Sequence, residues 1–110
     1  MQYILLILVV IVIAYLLWPA PTIIRFSRKT CPACQNTQAI WEAFVKKAVR
    51  EKINVKNIVE VDIENNSIHT REMLSKYHIT GVPTIIKQGV FMESRFNGEH
   101  TIENYMKFAE

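Results

Sequence analysis

The sequence is poor in cysteine and glycine, with two of the first and three of the second in 110 residues. Two cysteines cannot supply the disulfide framework of a small secreted scaffold, nor a four-cysteine zinc site. Glycine scarcity goes with the absence of any repeat, Gly/Ser linker or low-complexity tract, and the length leaves no room for two full-sized domains. Charge is missing altogether from the first 24 residues, so all 13 Lys+Arg and all 10 Asp+Glu fall between Arg25 and Glu110. Over that stretch the charges are mixed, which excludes a disordered polar tail. A net charge of +3 speaks to solubility and selects no partner, and no nucleic-acid partner is expected.

What the charge-free front end contains is a run of 16 apolar residues, Tyr3 to Trp18. A membrane-spanning helix needs about 20 residues, with about 17 as the lower limit. The run is short but sufficient if Met1 and Gln2 sit at the interface. Tyr3, Tyr15 and Trp18 lie near its ends, where amphipathic rings favour the headgroup region. Pro19 and Pro21 then stop the helix. A cleaved signal peptide fits less well, because there is no basic n-region and no small-x-small cleavage site around Ala20. A buried soluble helix would carry a polar stripe, and this segment has none. The expectation is a single-pass transmembrane anchor over residues 1–21 and a folded domain over 22–110. Arg25, Arg28 and Lys29 follow the run, and the positive-inside rule leans toward a cytoplasm-facing domain, with an extracytoplasmic one as the alternative. The isoleucine- and asparagine-rich composition fits an AT-rich genome, such as that of a large DNA virus or an AT-rich bacterium, so a viral membrane is also considered.

Beyond the anchor the pattern changes. Thr22–Ser27 reads as a short strand. Gln35–Lys52 reads as a helix with Ile40, Trp41, Phe44, Val45, Ala48 and Val49 on its apolar face. Asn57–Glu64 alternates apolar and acidic residues as a strand does. Ser67–Tyr77 reads as a helix with Ser67 as N-cap. Pro83–Lys87 and Phe91–Phe96 read as strands joined by a turn at Gln88-Gly89, and Thr101–Ala109 closes the chain as a helix. The order β-α-β-α-β-β-α predicts an α/β fold. Its first half is a parallel βαβ unit with a right-handed crossover and its second half an antiparallel hairpin, forming one mixed sheet covered by helices.

The two cysteines are spaced C-x-x-C, at the junction of the first strand and its helix. Pro32 suits the first helical turn, where its missing N–H costs nothing. That puts Cys31 at the helix N-terminus, where free N–H groups and the helix dipole favour thiolate over thiol. The thiolate is the nucleophile of disulfide exchange, and Cys34, one turn on, can attack the resulting mixed disulfide. Arg28 and Lys29 would lower the Cys31 pKa further, or else form a solvated basic loop. A metal half-site would need two more ligands, and His69, His78 and His100 have no zinc-type spacing; these histidines read as surface or packing residues. A static structural disulfide is the other alternative. The second signal is Gly81-Val82-Pro83-Thr84, entering a strand where proline is tolerated. A cis Val82-Pro83 bond would present the Val82 backbone beside the cysteines to an extended substrate segment; a plain loop proline is the competing reading.

C-P-A-C on a helix N-terminus, a strand ending in V-D-I-E, and G-V-P-T leading into a hairpin and terminal helix resemble the thioredoxin family over Thr22 to Glu110. The resemblance implies a thioredoxin-like mixed four-stranded sheet flanked by helices. It makes Cys31 the attacking cysteine, Cys34 the resolving one and Pro83 the cis-proline. Thr30, Pro32, Val82 and Pro83 become the substrate-binding surface. The departures matter. Pro32-Ala33 stands where thioredoxins commonly have Gly-Pro, and Thr30 where they have tryptophan; the Cys-Pro-x-Cys form is closer to glutaredoxins and some thiol oxidases. Arg25 occupies the position of the family's buried aspartate, six residues before the first cysteine, and Glu60 that of the facing lysine. A charge pair of reversed polarity is therefore expected beneath the cysteines, with Glu60 accepting the proton of Cys34; otherwise both side chains point to solvent.

The function expected is that of a membrane-anchored thiol–disulfide oxidoreductase exchanging disulfides with protein substrates and with a redox partner. It is expected to be monomeric and to need no cofactor and no metal. Two alternatives stand beside it. One is a glutaredoxin-like, glutathione-dependent reductase using a basic groove around Arg28, Lys29 and Lys87. The other is a non-catalytic adaptor of the same fold at a membrane. Asn65-Asn66-Ser67 matches a glycosylation acceptor, relevant only to a lumenal domain.

Overall fold

A computed structural model describes residues 2–17 and 19–110. The elements in chain order are α1 (Gln2–Leu16), β1 (Thr22–Ser27), α2 (Pro32–Glu51), β2 (Asn57–Asp62), α3 (Ile68–Lys76), β3 (Thr84–Gln88), β4 (Glu93–Arg95) and α4 (Ile102–Ala109). The strands form one sheet in the order β2-β1-β3-β4. β1 and β2 run parallel, as a βαβ unit requires, while β1–β3 and β3–β4 are antiparallel.

Alternation along β1 divides the interior in two. Ile23 faces α2 and α4, in a cluster with Trp41, Phe44, Ala48, Ile85, Tyr105 and Ala109. Trp41, Phe44 and Tyr105 meet there at tilted and edge-on angles, 5.3 to 6.0 Å between ring centres. Ile24 and Phe26 face the other side, with Val61, Tyr77 and Ile86, and the half-buried Met73 and Leu74 of α3 close that layer. Burying each such side chain is worth about 1.5–3 kcal/mol. At the margins of the apolar face expected for α2, three residues differ in outcome: Ile40 and Val45 pack against the core, whereas Val49 is exposed.

The helix ends follow capping chemistry. Cys31 is the N-cap of α2 and Pro32 occupies its first turn; Ser67 and Thr101 cap α3 and α4 by accepting from Thr70 and Asn104 N–H groups. α2 ends at Lys52, which takes the left-handed conformation (φ 51) that glycine more often supplies.

Two readings of the sequence are corrected. The strand expected over Phe91–Phe96 is only Glu93–Arg95, because the turn is longer than Gln88-Gly89: Gly89 N–H donates to the Met92 carbonyl at 2.8 Å, which puts Val90 and Phe91 at the tip. The expected membrane-spanning helix is also shorter than required. α1 covers 15 residues, about 22 Å at about 1.5 Å per residue, against a hydrocarbon core of about 30 Å. Among the described residues no helix is long and apolar enough to cross a membrane. Met1 and Trp18, expected at the interface, lie outside the described residues. No residue of α1 is buried against the rest of the chain.

Candidate dithiol site

The site forms where β1 hands over to α2. β1 ends at Ser27, and Arg28 to Thr30 turn the chain, with Cys31 N–H donating to the Arg28 carbonyl at 3.1 Å. Both cysteines are buried, and no disulfide joins them. The Cys31 sulfur accepts from the Cys34 N–H at 3.3 Å, a bond that exists only because Cys31 stands at the cap and Cys34 in the first turn. Across the site the same sulfur donates to the Val82 carbonyl at 3.7 Å, and the Val82–Pro83 peptide is cis. Pro32 and Thr30 are exposed on the near side of Cys31, and Thr30 donates to Glu64 at 2.8 Å. The structure thus brings Thr30, Pro32, Val82 and Pro83 around one sulfur.

The two thiols are driven apart. Hydrogen bonding from the Cys34 side chain and then from its N–H pulls the Cys31 pKa below its ordinary value; the Ala33 N–H and the charge of Arg28 add to this, against an opposing cost of burial. Burial pushes Cys34 above its ordinary value, and its hydrogen bond to Cys31 and the Cys31 charge push the same way; a hydrogen bond with the Arg28 backbone, and then the Arg25 charge, only partly offset them. The thiolate is therefore favoured at Cys31 and disfavoured at Cys34. Of the two flanking cations named from the sequence, Arg28 acts on Cys31, while the Lys29 carbonyl accepts from the Gln35 side chain.

Beneath Cys34 lies Arg25, fully buried. Its Nη1 donates to Gln38 and to Glu60, each at 2.8 Å, and its Nη2 to the Cys34 carbonyl and the Thr37 hydroxyl, each at 3.0 Å. The Trp41 ring lies 5.7 Å away as a cation–π partner. Nε is buried without a hydrogen-bond partner. The charge pair of reversed polarity is formed, but its partners differ in burial: Arg25 is sealed, whereas the Glu60 side chain keeps about a third of its surface (35%). Glu60 accepts from Arg25, from the Ser27 hydroxyl at 3.0 Å and from Gln38 at 3.4 Å. None of these bonds reaches a sulfur; Arg25 is the group that touches the Cys34 peptide. Thr37, Gln38 and Trp41 belong to the site although the sequence reading does not select them. Their signal is present, since positions 34, 37, 38 and 41 share one face of a helix.

Two clefts flank the cysteines. One, of about 590 Å³, is lined by Arg28, Lys29, Gln35, Gln38 and the carboxylates of Glu60 and Asp62, with Ser27 beside them. The other, of about 420 Å³, lies against Arg28, Ile63, Leu74 and Thr80 to Val82. The basic groove expected around Arg28, Lys29 and Lys87 is not assembled. Lys87 pairs with Ile23 near the start of β1, at the opposite end of the sheet from Arg28. His69 and His78 are exposed, and His100 shares a 2.6 Å hydrogen bond with the Tyr105 hydroxyl. Among the described residues no group of three acidic, histidine or cysteine side chains is placed to hold a metal.

Comparison with known proteins agrees with this geometry. The thioredoxin family model matches residues 17–110. The human protein named thioredoxin-related transmembrane protein 1 is 34% identical over 87 residues, which is 77% of this chain and 28% of the relative, so this chain spans little more than a quarter of its length. Among solved structures, the first two thioredoxin domains of Eps1p from Naumovozyma dairenensis superpose with a TM-score of 0.68 at 24% identity, covering 82% of this chain and 34% of that one. The first thioredoxin domain of mouse protein disulfide-isomerase A4 does so at 0.64 and 20% identity, covering 82% and 61%. At these identities the two structures speak to the fold.

Proposed function

This chain belongs to the thioredoxin family, and from that premise we propose that it is a membrane-tethered thiol–disulfide oxidoreductase acting on protein substrates through Cys31 and Cys34. The observation that carries the reading is the different setting of the two sulfurs: Cys31, at the helix cap, accepts from the Cys34 N–H and faces the Val82 carbonyl, and hydrogen bonds from Cys34 favour its thiolate, whereas burial favours the protonated form of Cys34. The Cys31 thiolate attacks a substrate disulfide. A Cys31–substrate S–S bond forms, the substrate S–S bond breaks, and one substrate thiolate leaves. Cys34 then gives up its proton and attacks the Cys31 sulfur. The Cys31–Cys34 bond forms and the second substrate thiolate leaves, so two electrons pass from the dithiol to the substrate. The reverse sequence oxidises a substrate dithiol, and the potential of the pair against its compartment sets the direction.

The substrate segment lies across Thr30, Pro32, Val82 and Pro83, which ring the attacking sulfur. Glu60 acts from the cleft it lines: it holds Arg25 under Cys34 and receives the Cys34 proton by way of solvent. The apolar helix α1 embeds in a membrane and holds residues 22–110 beside it, a role supported by the exposure of its entire surface and by the transmembrane name of the human relative. Of the charges that follow it, the exposed Arg28 and Lys29 favour the cytoplasmic side, while Arg25 is buried and paired within the domain. On that side the Asn65 turn, although exposed, carries no glycan.

A Cys34→Ser variant tests the reading. It accumulates covalent mixed disulfides with substrate proteins that reducing agent releases, and Cys31→Ser abolishes them. A partner profile unchanged by loss of both cysteines would instead make the chain a non-catalytic adaptor.

A further inference from the structure

The hairpin that departs from its expected shape sits at the tether. β3 runs antiparallel to β1 with Gln88 opposite Thr22, so the turn beyond Gln88 projects past the start of β1. That turn exposes three apolar side chains in a row: Val90 at 47%, Phe91 at 81% and Met92 at 74%. Only residues 17–21 separate α1 from β1, so Leu16 and Thr22 are at most about 22 Å apart along extended chain. Whatever surface holds α1 is therefore within that distance of Thr22. A cavity of about 490 Å³ lined by Leu16, Pro21, Asn54, Lys87 and Gly89 shows the helix end and the hairpin meeting there.

Cations gather at the same end. Lys56 N–H donates to the Pro21 carbonyl at 2.8 Å, Lys87 pairs with Ile23, and α2 brings Arg50 and its cap Lys52. Glu51, Glu110 and Glu93, which pairs with Gln88 beside the turn, are the acidic neighbours, three against the four basic groups Arg50, Lys52, Lys56 and Lys87. An apolar tip beside a basic rim, next to an apolar helix, matches the boundary of an anionic bilayer, where rings and methionine enter below the headgroups and lysines pair with them.

We infer that this end of the domain docks on the surface of an anionic membrane, with Val90 to Met92 inserted at the headgroup level and Lys52, Lys56 and Lys87 against acidic lipid. The inference rests on the membrane tether proposed above and adds an orientation. α2 then stands away from the bilayer, holding Cys31 and Cys34 about 30 Å from it, the length of that 20-residue helix.

The test uses the full chain reconstituted into phosphatidylcholine vesicles with and without phosphatidylserine. In a Cys31→Ser, Cys34→Ser background, a nitroxide is attached at Phe91→Cys, Met92→Cys, Leu8→Cys or Asn66→Cys. Collision with oxygen and with a water-soluble nickel chelate is read by spin resonance. Labels at 91 and 92 are expected to show an oxygen-to-nickel ratio several-fold above that at 66 in the anionic vesicles. The ratio falls toward that of 66 in neutral vesicles and when Lys52, Lys56 and Lys87 are changed to Glu. Labels at 91 and 92 as aqueous as at 66, with 8 in the bilayer, would overturn the docking and leave the tether standing. An aqueous label at 8 would overturn both, and equal insertion into neutral vesicles would overturn the role of the lysines.

Discussion

At its N-terminus α2 holds two buried cysteines beneath a loop that carries Arg28, and at its C-terminus it ends on Lys52 among Arg50, Lys56 and Lys87. One helix dipole serves both ends: its positive pole favours the Cys31 thiolate, and its negative pole favours the cations. The ends differ in what they bury. The cysteine end rests on Arg25 with four hydrogen bonds beneath it and Trp41 beside it, while the opposite end is built from exposed side chains and an apolar tip. Chemistry is placed where the scaffold is packed, and attachment where side chains reach solvent. The two ends are therefore expected to respond separately to mutation.

Removing residues 2–17 is the strongest way to break this separation. Attachment to neutral vesicles is expected to be lost completely in flotation assays, while the thiol-exchange rate on a soluble disulfide and the unfolding midpoint stay unchanged, because α1 buries nothing against the domain. Next comes Arg25→Ala, which strands the bonds of Thr37, Gln38 and the Cys34 carbonyl and leaves a void. Loss of one partner of a buried pair costs about 3–5 kcal/mol, and the lower end is expected because Glu60 reaches water. Glu60→Gln is expected to cost about 1 kcal/mol after allowance for solvent screening, seen in denaturant unfolding. It should also shift the pH profile of the resolving step while leaving the first attack by Cys31 in place. An unchanged profile would remove Glu60 from the proton path.

The smallest effect concerns His100, far from both ends of the comparison in function but close to Arg25 in field. Burial, and then the Arg25 charge, lower its pKa below 6.5. Between that lowered value and 6.5 the unfolded chain binds more protons than the folded one, so stability falls as pH drops through this window. Denaturant unfolding followed from about pH 7 down to about pH 5, the range in which histidine titrates, is expected to show a shallower loss of stability for His100→Gln than for the unmodified chain. Equal slopes for the two would remove His100 from the acid response.

Much of this was legible from residues alone. Pro32 after Cys31, Ser67 and Thr101 before apolar periodic runs, and the alternation of Asn57–Glu64 are local signals, and the elements they announce are present, the strand ending two residues earlier, at Asp62. The cis Val82–Pro83 bond and the Arg25–Glu60 pairing followed from the family resemblance. What escaped depends on register and partners. Lys87 is sequence-near to Pro83 yet lies at the far end of the sheet, because β3 runs back along β1. Phe91 and Met92 have strand-forming side chains, but the Gly89–Met92 backbone bond makes them a turn. Thr37 and Gln38 became site residues only once a buried guanidinium on β1 needed acceptors from α2.

The separation of the two thiols is the claim on which the function depends. It is tested most directly by the rate of alkylation of each cysteine against pH, followed by mass spectrometry on the full chain. Cys31 is expected to react along a titration curve displaced below that of an ordinary cysteine, with Cys34 silent until well above it. Both cysteines titrating together at or above the ordinary value would contradict the account.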